Sequence, residues 1–372
     1  MKFKLIFGLA VMVLILVVWL ARTKEGPTED VIKIGVVVPL TGPAAHYGES
    51  ERDGISLAVK EINESGGILG KKLEVILEDD STDPKKAVSS FNKLVSVDKV
   101  AAVIGGAWDF LANATIPVAD QNKKIFITPS ALPDTLNSQS PYVFMVHAPV
   151  ADSKDEFVRF LSNYKQAKVV VLQVNTVWGN AYASAFKEAI VSTGSTLSGE
   201  FILPHFDNND FLTELVKIKE LHPDVVMVAV NYADTSVFLK RRKELKLPGA
   251  VLIYEQEVKD GLMDKGITFE EVEGVMVYGF SPSEEKFVTR YQAEYNDYPG
   301  QYADTAYDSV HVLKMALENA GGDIDSDKLI DGLHKVNNYP GASGLIDFSE
   351  SNYPHNKKVL IQVFKDGRFE RV

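Results

Sequence analysis

The sequence predicts an α/β fold of two lobes, each built on a parallel sheet, and three observations carry the prediction. Residues Ile34 to Pro84 spell out one β-α-β unit, the first in a run of alternating strands and helices. A stretch marked by Pro129, Pro133 and Pro141 interrupts that run, and a second run of the same kind follows. At 372 residues the chain is also longer than one hydrophobic core usually supports.

In the first unit, Ile34 to Pro39 is a nearly unbroken apolar run, which suits a strand buried on both faces. Between Ser50 and Asn63 the residues Ile55, Ala58, Val59 and Ile62 recur at helical spacing, leaving Arg52, Lys60, Glu61 and Glu64 to water. Gly66, Gly67 and Gly70 end that helix, and Leu73, Val75 and Leu77 make the next strand. In such a unit the loop after the first strand, Leu40 to Gly48, opens at the carboxyl edge of the sheet, where ligands sit.

Asp83 followed by Pro84 reads as a helix cap with proline at the first helical position, and Ala87, Val88, Phe91, Leu94 and Val95 continue as a helical stripe. Val100 to Ile104 is the next strand, Asp109 to Gln121 a helix and Ile125 to Thr128 a strand. The second run begins with a helix around Lys154 to Tyr164, strand Val169 to Val174 and helix Ala181 to Ser192. It continues through strand Phe201 to Leu203, helix Asp210 to Leu221, strand Val225 to Val230, helix Thr235 to Leu245 and strand Val251 to Tyr254.

Composition narrows the function. The formal charge of −12 argues against nucleic acid as a partner. With no cysteine, the chain has no disulfide, thiolate metal site, cysteine nucleophile or cysteine-linked lipid. Leu5 to Ala21 is the one long apolar run, preceded by Lys2 and Lys4, and reads as an export signal. Its helical length of about 25 Å against a hydrocarbon core of about 30 Å suits a signal peptide or a membrane anchor. Trp19 stands where a small residue should precede a cut, which favours the uncleaved anchor, followed by a polar linker from Thr23 to Asp30. The chain is therefore expected outside the cytoplasmic membrane and tethered to it.

Catalytic and cofactor chemistry is not expected. Gly66 to Lys72 lacks the spacing and the hydroxyl of a phosphate loop, and the seven histidines never fall at metal-ligand spacing. Asp79, Asp80 and Asp83 read as strand end, turn and helix cap rather than a cation site. No G-x-S-x-G elbow or other nucleophile set is present, so the chain is read as a non-enzyme.

Three segments resemble the leucine/isoleucine/valine-binding family of type I periplasmic binding proteins, the solute receptors of ABC importers: PLTGPAAHYG at Pro39 to Gly48, AVKEINESGGILGKKLEV at Ala58 to Val75 and EDDSTDP at Glu78 to Pro84. Looser similarity runs through Val100 to Gly106, Ile125 to Ala131, Val177 to Gly179 and Tyr302 to Tyr307, covering about residues 31 to 370. The resemblance implies two doubly wound parallel-sheet lobes joined by a three-segment hinge. Residues 31–147 and 279–342 would form the first lobe, and residues 148–278 and 343–372 the second. It also implies an ABC permease as partner and a small-molecule ligand: an amino acid, amide or amine. The alternative role is a ligand-sensing ectodomain acting through a partner receptor.

The resemblance also places a candidate site in the interlobe cleft. Trp108 and Trp178 follow predicted strands, and relatives carry a tyrosine lid at the position of Trp178. Relatives hold a ligand carboxylate with a hydroxyl at the position of Asp109 and another at that of Leu132, next to the small turn residues Ser130 and Ala131. Asp109 either caps its own helix through Leu111 or Ala112, or faces the cleft and favours an ammonium, amide or polyol. From the first lobe Tyr47 and Tyr302 should flank the ligand. From the second, Asn231 or Tyr232 and one of Glu255, Gln256 and Glu257 match positions that grip an amino group. Tyr291 and Tyr295 share helical spacing with Phe287 and are read as packing residues.

Overall fold

The computed structural model describes residues 31–130, 140–204, 210–263, 266–280, 283–355, 357 and 359–372. Its first sheet grows from strands β1 (Val31–Val38), β2 (Lys72–Asp79), β3 (Val103–Gly105), β4 (Phe126–Thr128) and β5 (Val143–Met145). The intervening helices are α1 (Ala45–Glu64), α2 (Pro84–Ser96) and α3 (Asp109–Gln121). The strands lie in the order β2-β1-β3-β4-β5, every pair parallel. Ile34, Val36 and Val38 pack on one face with Ile55, Ala58 and Ile62, while Val37 packs on the other with Phe91 and Leu94, as expected of a strand buried on both sides.

A short 3-10 turn, Val150–Ser153, leads into α4 (Lys154–Leu161) and the second sheet. Strands β6 (Lys168–Val174), β7 (Thr196–Leu203), β8 (Val225–Ala229), β9 (Ala250–Tyr254) and β10 (Met276–Phe280) alternate with α5 (Val177–Ser192), α6 (Leu212–Glu220) and α7 (Tyr232–Leu245). Helices α8 (Glu255–Met263) and α9 (Phe269–Val272) fill the interval before β10. The chain then returns to the first core with α10 (Glu285–Tyr295), α11 (Ala303–Asn319), α12 (Ser326–Leu333) and the small hairpin of β11 (Tyr339–Gly341) and β12 (Gly344–Ile346). Finally β13 (Val359–Lys365) and β14 (Arg368–Arg371) join the second sheet, whose order is β14-β13-β10-β9-β8-β6-β7.

Several expectations need correction. The first helix begins at Ala45, not near Ser50. Gly48, expected in the loop, lies in its first turn because a Cβ there would sit 1.9 Å from the Pro39 carbonyl oxygen, so only glycine lets the helix start against the strand end. The second sheet is not wholly parallel: β13 runs antiparallel to β10 and β14 to β13. The expected boundary at 342/343 also moves, since Ile346 and Phe348 are buried in the first core. The last crossing therefore falls between Phe348 and Val359, where Asn352 bonds to the outer edge of β5 through Met145 N and Val143 O. Among the described residues no helix is long and apolar enough to cross a membrane, and Leu5 to Ala21 lies outside them.

Candidate functional site

The carboxyl edge of the first sheet carries an aromatic wall. Tyr47, in the first turn of α1, lies 5.5 Å from the Trp108 ring and 6.1 Å from that of Tyr302. Trp108 is the residue before α3, with extended backbone, and Tyr302 precedes α11 in the left-handed region at φ 67°. The loop before α1 is tied down by Asp79, whose carboxylate accepts from Leu40 N, Thr41 Oγ1 and Ser81 N, while Asp83 caps α2 through Lys85 N. The three acids thus serve as strand end, turn and cap, and among the described residues no acidic or histidine cluster could hold a metal.

The second wall comes from the carboxyl ends of β6, β8 and β9. Trp178 stands in the first turn of α5, its ring 5.0 Å from Tyr182 and 5.7 Å from Tyr254. Thr176 caps that helix by accepting from Gly179 N at 2.9 Å. Asn231 caps α7 by accepting from Asp234 N at 3.1 Å, so its amide oxygen is committed to the backbone. Tyr232 opens α7 and Gln256 lies in the first turn of α8, their side chains outside the described set. Glu255, the first residue of α8, is buried and paired with Lys259.

Asp109 joins the two walls. Its carboxylate does not cap its own helix but reaches across the cleft: Oδ2 accepts a hydrogen bond of 2.7 Å from the backbone N–H of Trp178, in the first turn of the opposite lobe's helix. Ser130 turns its hydroxyl inward and donates to Glu51 Oε1 at 3.2 Å. Ala131 and Leu132 lie outside the described residues.

Next to this seam, on the side of the hinge, a cavity of about 660 Å³ opens between the lobes, lined among others by His147, Tyr254, Glu255, Phe280, Tyr302 and Lys357. Its polar floor is a relay across the last crossing. Lys357 Nζ donates to Ser343 Oγ, which donates in turn to Asp308, and Asp308 also accepts from Ala342 N and Ser343 N. Burial lowers the Lys357 ammonium to about 8 and raises the Asp308 carboxyl to about 6. His147 sits edge-on to Phe280 at 4.4 Å and donates from Nδ1 to the Ala148 carbonyl, and burial pushes it down to about 3, so it is neutral.

Sequence reasoning passed over Glu51, His147 and the Asp308–Lys357 pair. Glu51 alone left a signal: counting back from Ile55, Ala58 and Ile62 at steps of three and four puts it on the buried face of α1. The other three are brought together by chain crossings that no local spacing reveals.

A family model described as periplasmic binding protein matches residues 31–368. The Leu/Ile/Val-binding protein BraC3 of Rhizobium johnstonii is 28% identical over 333 residues, 86% of this chain and 88% of that one. The branched-chain amino acid transporter substrate binding protein LivJ of Streptococcus pneumoniae, solved with isoleucine, is 26% identical with a TM-score of 0.81, covering 92% of this chain and 99% of its own. A solute binding protein of an ABC transporter from Rhodopseudomonas palustris, solved with 3,4-dihydroxy benzoic acid, is 27% identical with a TM-score of 0.82, covering 92% and 96%.

Proposed function

This chain belongs to the periplasmic binding protein family, and from that premise we propose that it is the solute receptor of an ABC importer. In this reading it works outside the cytoplasmic membrane, tethered by Leu5 to Ala21. It hands a small polar, amino-acid-like molecule to a permease without transforming it. One observation carries the reading: aromatic walls from two separately cored lobes, Tyr47 with Trp108 and Trp178 with Tyr254, are set at the facing carboxyl edges of their sheets. A cavity of about 660 Å³ beside them is within the usual range for small-molecule sites. The ligands of the similar proteins, isoleucine in one and an aromatic acid in another, support a site whose chemistry is set locally on a shared frame.

A solute touching both walls gains its full contacts only when the lobes are together. Binding therefore shifts the population toward the closed form by the difference in its affinity for the two states, and the permease reads that closure. The test is the melting temperature of the full chain in mild detergent against amino acids, their amides, polyamines and polyols. A ligand at a hundredfold excess over its Kd should add about 2.7 kcal/mol of stability, and Trp178→Ala should lose most of that increment. Absence of any shift across the panel would overturn the receptor role.

A further inference from the structure

Asp109 lies in the cleft where two helix N-termini meet, a setting receptive to an anion. It is the first residue of α3, and its Oδ2 accepts from the N–H of Trp178, the second residue of α5, so two helix N-termini converge on one carboxylate. The residue is only 7% exposed, and among the described residues no Lys or Arg pairs with it and Oδ1 takes no hydrogen bond. The two helices belong to different lobes, so this bond spans the seam. A ligand carboxylate placed here would find its N–H donor already taken and a desolvated negative charge beside it. An ammonium or primary amide would instead find an acceptor.

We propose that Asp109 is a lobe-bridging latch that stands in for an anionic ligand group, so that the cleft selects solutes whose head offers N–H donors and discriminates against carboxylates. This deepens the receptor reading and rests on it for the ligand, while the latch is tested by itself on the ligand-free protein.

Two measurements on the full chain separate the parts. Hydrogen exchange of the ligand-free protein should show the Trp178 amide protected in the wild type, exposed in Asp109→Ala and largely protected again in Asp109→Asn, which keeps an acceptor oxygen. An amide that exchanges freely in the wild type, or is unaffected by Asp109→Ala in a variant with unchanged circular dichroism, overturns the latch. Leucine and leucinamide, which differ only in carboxylate against amide, then probe selection. The wild type should bind leucinamide at least about tenfold more tightly than leucine, and Asp109→Ser should erase or invert that ratio. Equal wild-type affinities, a ratio untouched by Asp109→Ser, or silence toward leucinamide overturns the selectivity. Binding of some other solute in that last case would leave the receptor role standing.

Discussion

Glu51 shows how one residue can couple the cleft to pH. It is fully buried, accepts from Ser130 through Oε1, and among the described residues has no hydrogen-bond partner for Oε2. Burial, opposed by the Ser130 hydroxyl and reinforced by nearby Asp80, raises its carboxyl from 4.5 to about 8. Between those values the folded chain keeps a proton that the unfolded chain has released, so stability falls as pH rises through the window, by up to about 1.4 kcal/mol per pH unit. Glu51→Gln should flatten that fall, which denaturant titrations at pH 5 and pH 8 would reveal as a smaller difference than in the wild type. His147 works the other way at acid pH. Neutral in the fold down to about 3, it refuses a proton that the unfolded chain takes up below 6.5, so it costs stability as pH drops through that range. The identities of Asp109, Ser130 and Trp178 were readable in sequence, but their directions were not. Asp109 is oriented by an N–H sixty-nine positions away in another lobe, and Ser130 by a carboxyl on a helix it never meets in sequence.

At the level of elements, the crossing of α1 and α11 sets how the first lobe packs. Gly54 allows it, because a Cβ there would lie 2.0 Å from the Ala303 carbonyl oxygen. Gly54→Ala should therefore cost about 1–3 kcal/mol by forcing the helices apart, measurable as a lower denaturation midpoint with an unchanged slope. A milder change, Asn231→Ala, removes the α7 cap and should cost about 1 kcal/mol. Helices away from the crossings were legible: Asp83 caps α2, and α3 spans Asp109–Gln121. The three-residue strand β5 and the β13–β14 hairpin were not. The first is too short to carry a period, and β13 buries residues on both faces without strict alternation.

On the scale of the whole molecule, two lobes were foreseeable from length and from the doubled alternation, while the seam between them was not, since it depends on contacts between distant segments. The first sheet is complete once β5 exists, yet the apolar face that α1 shares with β1 is covered by α11, α12, Ile346 and Phe348. These are made only after all of β6 to β10. A nascent chain therefore carries an unfinished core through most of its synthesis, and whatever delivers it across a membrane has to shield that surface until the far end arrives. A ribosome-arrested chain ending at Phe280 should be cut readily within α1, and one extended past Phe348 should resist. Order of manufacture, not only final contact, is thus written into the way this chain divides itself between its halves.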